Sequence, residues 1–381
     1  MKRRTLLSRC ASLAMALGAA VLLAACASGD ARPKPTELSA NPAIVSARLA
    51  WTSKIGPVNF PLDVKVEGDS ISLASSDGTV LSLDARTGQD LWRGTIAKAQ
   101  ISAGVGSDGR LAAVVTRAND LVVLERGREL WREPLGALAF TPPLVAGARV
   151  FVLGADRSIS AFDGRGGRKL WGFSPPSELP LALRQSGVLL PVGDTLVAGI
   201  SGRLVGIDPT TGSPRWEAPI TTARGANDIE RLVDLVGHVS RQGDSVCARA
   251  FQAAIGCVDT ARGKTVWSKP ASGSEGLDGD AESVFGTESD GKVIAWRRSD
   301  GNPVWTSDRL KFRGLTTPLV IGRSVAIGDA QGFVHLLSKQ DGSLLGRVAT
   351  DGSAIAAAPV LVGNTLVVVT HNGGVFGFRP E

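Results

Sequence analysis

The chain has 381 residues, with 42 Lys and Arg against 36 Asp and Glu, three His, four Cys and no Tyr. Its formal charge of +6 comes mostly from residues 1–25, which hold four basic and no acidic side chains; the rest carries 38 basic against 36 acidic groups, or +2. Near balance, with the basic residues scattered and no run that follows a phosphate backbone, leaves no footing for nucleic acid as a partner.

Residues 1–25 read as an export signal. Lys2, Arg3, Arg4 and Arg9 form a basic start, and the apolar stretch Leu13 to Ala25 is too short to cross a membrane. It ends Leu23-Ala24-Ala25-Cys26, which resembles the lipobox of bacterial lipoproteins, where cleavage precedes the cysteine and its thiol is acylated. The alternative is ordinary signal cleavage with Cys26 incidental; the small residues directly before the cysteine favour lipidation. Ala27 follows, and by likeness to lipoprotein sorting the absence of Asp there implies the outer membrane, facing the periplasm. Two or three acyl chains hold firmly where one does not. Residues 26–43, with Pro33, Pro35 and Asn41-Pro42, are expected to form the lipid anchor and an extended tether.

Beyond the tether a repeat takes over. Its cleanest copy is Leu83-Asp84-Ala85-Arg86-Thr87-Gly88-Gln89-Asp90-Leu91-Trp92, and other copies end at Trp51, Trp131, Trp171, Trp216, Trp267 and Trp305. An eighth keeps the turn as Asp341-Gly342 but ends on Gly346 where Trp is expected. From Trp51 the steps are 41, 39, 40, 45, 51, 38 and 41 residues, the length of one four-stranded propeller blade. In the third period the strands are expected at Phe140 to Val145, Arg149 to Gly154, Ser158 to Phe162 and Lys169 to Phe173, with hairpin turns between them. Alternation as in Val80-Leu81-Ser82-Leu83, and no convincing amphipathic helix, make the class all-β.

One such blade cannot bury both faces alone. Packed radially, each covers its neighbour, and the repeated Trp fills the seam; burying an indole of about 200 Å² at roughly 25 cal/mol/Å² contributes on the order of 5 kcal/mol before entropy. The chain therefore predicts an eight-bladed β-propeller over residues 44–381. Its end holds three strands, Ala357 to Leu361, Thr365 to Thr370 and Gly374 to Phe378, with no fourth. The isolated strand Ser46 to Trp51 is expected to complete that last blade and remove its exposed edge. Aligned on Asp84 and Asp259, Cys247 and Cys257 fall at the positions of Ser72 and Ser82, facing each other across a hairpin if its turn takes three residues. A disulfide and a pair of small buried thiols both fit that placement.

Apparent chemistry is thin. Gly104 to Gly109 matches G-x-G-x-x-G, yet a strand follows it instead of the helix that phosphate cradling needs, so a hairpin turn is expected. Asp278, Asp280 and Glu282 fall short of a calcium loop. His238, His335 and His371 are far apart, and none has metal-ligand spacing. No metal, cofactor or catalytic residue is assigned, and the chain reads as a binding protein.

The anchor at Leu83 to Trp92, and again at Ile207-Asp208-Pro209-Thr210-Thr211-Gly212-Ser213-Pro214-Arg215-Trp216, resembles the repeat of quinoprotein-type eight-bladed propellers. Two families share it: pyrroloquinoline-quinone alcohol dehydrogenases, and the BamB lipoproteins of the outer-membrane β-barrel assembly (BAM) machinery. The lipobox, a length with nothing beyond one propeller, and the stretch Asn227 to Asp234 favour BamB. Leu181-Ala182-Leu183-Arg184 is similar to that family's exposed L-x-L-R loop, which contacts the periplasmic POTRA domains of BamA. The resemblance implies a non-catalytic scaffold that assists insertion of β-barrel proteins, with Leu181, Leu183 and Arg184 as BamA contacts and Asp234 as an acidic one. Leucines facing inward in an ordinary strand are the alternative. A second acid expected two residues after Asp234 is Val236 here. Partners implied are BamA, other BAM subunits and unfolded outer-membrane protein precursors met by strand addition. The dehydrogenase alternative needs Ca²⁺ ligands, a base and two adjacent cysteines, whereas Cys247 and Cys257 are ten apart. A peptidoglycan or polysaccharide binder is a third class.

Overall fold

A computed structural model describes residues 33–97, 99–175, 182–222 and 232–381. The export signal, Cys26 and Leu181 lie outside them. Thr36–Glu381 forms one compact unit in which every regular element among the described residues is a strand. The strands make eight antiparallel sheets of four. The first blade is Lys65–Glu67, Ser70–Ala74, Thr79–Asp84 and Asp90–Thr95, and the next six repeat that order over 101–134, 144–173, 189–219, 235–270, 277–307 and 319–349.

Blade 8 is built from both ends of the chain. Val360–Val362, Thr365–Val369 and Gly374–Pro380 supply three strands, and Ala47–Lys54 pairs along the last of them, Ala47 opposite Pro380 and Lys54 opposite Gly374. The expected closing strand is thus present, three residues longer at its C-terminal end. In blade 3 the innermost strand is Leu144–Ala146, shorter than expected from Phe140, because Pro142 and Pro143 have no amide hydrogen to give a ladder. Gly104 to Gly109 belongs to a strand and its turn, where the Asp108 carboxylate accepts from the amides of Arg110 at 3.0 Å and Leu111 at 2.7 Å.

The repeat motif and its tryptophan turn out to be two halves of a lock between successive blades. Where the turn holds an Asp, as in every blade but 2 and 8, its side chain accepts backbone amides just ahead of it: Asp84 takes Arg86 N at 2.8 Å and Thr87 N at 3.0 Å. The glycine that ends the turn has positive φ, +72° at Gly88 and +78° at Gly212, which a side chain would strain. It also leaves bare the patch on which the indole of the preceding blade lies: Trp51 on Gly88, Trp131 on Gly167, Trp171 on Gly212, Trp216 on Gly263, Trp267 on Gly301 and Trp305 on Gly342. Five of these indoles donate from Nε1 to a turn carbonyl, Ala85, Gly164, Pro209, Arg298 and Lys339, at 2.7 to 3.0 Å. One motif therefore spaces, orients and seals a seam.

Gly346 now has a reason. Blade 8 is closed by the N-terminal strand, so no turn joins its last two strands, and a tryptophan at 346 has nothing to rest on. The incoming chain crosses there instead: Val45 N donates to Leu345 O at 3.0 Å, and a Cβ on Gly346 would collide with Val45 O. The preceding residues, expected as tether, are held on blade 7 from Thr36 onward. Thr36 N donates to Lys311 O, Arg313 to Thr36 O and Arg347 to Ser39 O, at 3.0, 3.0 and 2.7 Å, while Leu38 packs on the apolar core there.

Candidate functional site

The connections between blades and the turns between second and third strands share one end of the ring, as backbone bonds such as Ala155 N to Leu138 O and Gln252 N to Gly273 O show. Three features of that end converge around blades 3 to 5. Leu183 and Arg184 belong to the connection from blade 3 to blade 4, a loop and not a strand. Asp234 ends the connection into blade 5. Arg157, in a turn of blade 3 with φ +66°, is buried between them.

The Asp234 carboxylate is engaged from inside. Arg157 donates to it through Nε at 3.2 Å and approaches through Nη2 at 3.1 Å, and Leu183 N donates to it at 3.4 Å. With the Arg157 side chain 5% and the Asp234 side chain 18% exposed, this is a shielded pair whose geometry sets the path of the Leu183 loop. Asp234 is thus largely shielded by this pairing. Val236, where the resemblance expects a second acid, is 1% exposed and sits opposite Arg249 in the sheet, in a strand interior where a carboxylate would be buried.

Arg184 is different. Its guanidinium lies over the Phe140 ring, 5.6 Å from the centroid, and among the described residues it has no carboxylate partner, although surface arginines such as Arg93, Arg132 and Arg215 are all paired. Leu183 is half-buried beside Phe140 and Ala182 in the crevice above Arg157. Below the loop the chain is pinned: Gln185 Nε2 donates to Ser274 O at 2.7 Å, Gly187 N to Thr141 Oγ1 at 2.9 Å, and Gly237 N to Ser186 O at 2.6 Å. Sequence reasoning missed Arg157 and Phe140. The sequence put Arg157 in a hairpin turn and Phe140 at the start of a strand, and neither belongs to the repeat motif.

The other sequence candidates are accounted for structurally. Cys247 and Cys257 stand opposite each other in blade 5, across a three-residue turn, and are joined by a disulfide. Asp278 accepts Val320 N at 2.7 Å, with its carboxyl pushed up by burial; Asp280 accepts Glu282 N and Ser283 N and pairs with Lys339. His335 is buried against Asp329, His371 Nδ1 donates to Val58 O at 2.5 Å, and His238 lies 3.4 Å from Asp63. The last pair joins blades 1 and 5 across the ring axis. Beside it the Glu275 carboxyl, pushed up by burial, lines an axial cavity of about 530 Å³. Among the described residues no three His, Cys, Asp or Glu groups gather as a metal site.

The family model described as outer membrane protein assembly factor BamB matches residues 76–307. The chain is 39% identical to the outer membrane protein assembly factor BamB of Burkholderia pseudomallei, over 99% of this chain and 100% of the relative. It is 35% identical to that of Bordetella pertussis, over 93% and 92%. The crystal structure of BamB from Moraxella catarrhalis superposes with a TM-score of 0.79 at 26% identity, covering 88% of this chain and all of that one. The quinohemoprotein alcohol dehydrogenase of Comamonas testosteroni superposes with a TM-score of 0.69 at 14% identity, over 90% of this chain and 78% of that one, a likeness of fold alone.

Proposed function

The chain belongs to the BamB family of outer membrane protein assembly factors, and on that premise we propose that it is a non-catalytic scaffold of the BAM complex that binds the periplasmic POTRA domains of BamA. Its place is the periplasmic side of the outer membrane, where acylated Cys26 anchors it. The observation that carries the reading is Arg184: an exposed cation on an aromatic ring, without a carboxylate partner among the described residues, on a loop held from beneath by Asp234 and Arg157. A planar guanidinium set on an aromatic face, next to apolar side chains, is the composition of an interface anchor. Leu181 and Leu183 are its apolar companions. Asp234 serves the same contact by shaping the loop.

The ring also offers outer-strand edges to extended precursor chains. Leu91, Leu130, Val266 and Val304 stand 42 to 57% exposed on those strands, one residue before each anchor Trp, where an added strand gains apolar contact as well as backbone bonds. Co-purification from membranes tests the BamA contact. Arg184→Glu combined with Leu183→Ala is expected to remove most of the recovered BamA; unchanged recovery would refute the assignment.

A further inference from the structure

The axial cavity of about 530 Å³ has a carboxyl on its wall that the fold does not use. Glu275, on the connection from blade 5 to blade 6, is pushed up by burial, yet among the described residues its side chain accepts no hydrogen bond and makes no ion pair. A buried acid in that condition costs the fold stability and calls for a reason. The two cationic groups that act on it are engaged elsewhere: Arg249 pairs with Glu288 at 2.9 Å, and His238 Nε2 lies 3.4 Å from Asp63 Oδ1. Other polar groups lining the cavity are left as acceptors by the bonds they already make. His371 donates through Nδ1 to Val58 O at 2.5 Å, which leaves Nε2 with its lone pair, and Gln185 donates through Nε2 to Ser274 O at 2.7 Å, which leaves its amide oxygen. Asp63 adds a second carboxylate, its backbone fixed by bonds of 3.0 and 3.2 Å with Gly104 and Val105.

We propose that this cavity binds a small organic ammonium ion, held by the Glu275 and Asp63 carboxylates with His371 Nε2 and the Gln185 amide oxygen as further acceptors. A primary ammonium carries three N–H donors and no acceptor, which is the complement of that wall. Its charge is what the Glu275 carboxyl lacks, and an ammonium beside that group favours the ionised form. The Phe60 ring lines the same cavity and offers a face to the cation or its carbon chain. The volume lies in the range of small-molecule sites. An organic cation fits better than a metal ion, since among the described residues no three His, Cys, Asp or Glu groups gather as ligands. Binding here does not depend on the BamA contact.

The test titrates the full chain, purified in detergent, with cadaverine, pentylamine and pentanol by calorimetry. Both amines are expected to bind saturably and the alcohol not to bind, because only the amines carry the charge. Glu275→Gln is expected to weaken the amines about tenfold or more and Asp63→Asn several-fold. Glu282→Gln, in an exposed turn between the first two strands of blade 6, is expected to leave them unchanged. The melting temperature separates ligand binding from support of the fold: Glu275→Gln is expected to keep or raise it, since an unpartnered buried acid is gone. If Glu275→Gln unfolds the chain, Asp63→Asn decides, and parent-like amine binding by that variant sinks the site. Parent-like amine binding by Glu275→Gln, equal binding of pentanol, or no saturable binding of either amine overturns it as well. A heptapeptide with one central lysine covers the other source of an ammonium, a partner chain; binding by the peptide alone overturns the small-molecule assignment.

Discussion

Single residues in this ring carry charge or shape for reasons visible only in their surroundings. Asp329 and His335 are buried together with Arg313, and Asp329 takes Arg313 Nε at 2.8 Å and His335 Nε2 at 2.9 Å. The carboxylate is held below its usual range despite burial, which alone would raise it, because His335, the Phe333 amide and Arg313 all donate to it. Burial pushes the imidazole down, the attraction of Asp329 notwithstanding, and its Nδ1 has no partner in the interior. Protonation there would put an N–H and a charge where nothing accepts them. The sign follows directly. The unfolded chain protonates His335 near its ordinary 6.5 while the folded chain resists, so folding stability falls as pH drops below about 6.5. Asp329, depressed in the fold, contributes stability above its unfolded range near 3.8 and loses it only as pH falls through the folded value. His335→Gln is expected to flatten the pH dependence of urea unfolding between about 5 and 6.5; a slope like the parent's there would place the titration elsewhere.

Tryptophan seams make a second prediction, because equal residues have unequal receivers. Trp267 is 8% exposed, lies on Gly301 and bonds Arg298 O at 2.7 Å. Trp92 faces blade 2, whose turn at Glu125 to Arg128 lacks the Asp-x-x-Thr-Gly form, and it remains partly exposed. Trp267→Ala is expected to cost about 3 to 5 kcal/mol, and Trp92→Ala about 1 to 2 kcal/mol less, for the absent indole bond and the poorer cover. Equal losses in denaturant titrations would show that the turn is not what values the indole.

At the level of elements, the working loop is positioned by connections and not by strands. The Arg157 to Asp234 pair ties a turn of blade 3 to the entry of blade 5 over the blade 4 connection, and Leu183 N hangs from the same carboxylate. Asp234→Asn keeps an acceptor but removes the ionic part of the pair with Arg157, so the loop should loosen. Faster amide exchange across 182–185 and a several-fold loss of POTRA affinity are expected together. Weaker binding with unchanged exchange would mean that Asp234 touches the partner directly. The same logic explains why Leu183 and Arg184 were legible as motif residues while Arg157 and Phe140 were not: motif spacing is local, and the contacts that orient the loop join positions 77 residues apart in the case of Arg157 and Asp234.

For the molecule as a whole, closure is the decisive step. Seven blades form from contiguous chain, and the eighth waits for Ala47–Lys54 to pair with Gly374–Pro380. This one strand supplies the final ladder, brings Trp51 onto Gly88 of blade 1, and lays Val45 over the Gly346 seam. Deleting residues 46–51 is expected to lower the melting temperature by well over 5 °C and to broaden the transition as the ring opens. A melting curve like the parent's would mean the ring closes without it.

Blade count, all-β class, the closing strand and the pairing positions of Cys247 and Cys257 were determined by sequence alone. Each is a matter of period and register, and period is a local property written into every repeat. What sits against what was decided only by the tertiary structure: that Gly346 is small because the N-terminal chain crosses it, that residues from Thr36 onward are docked on blade 7, and that Asp234 pairs with Arg157. Those contacts pair residues from separate blades, and no repeat encodes a neighbour that the chain meets only after the ring has closed.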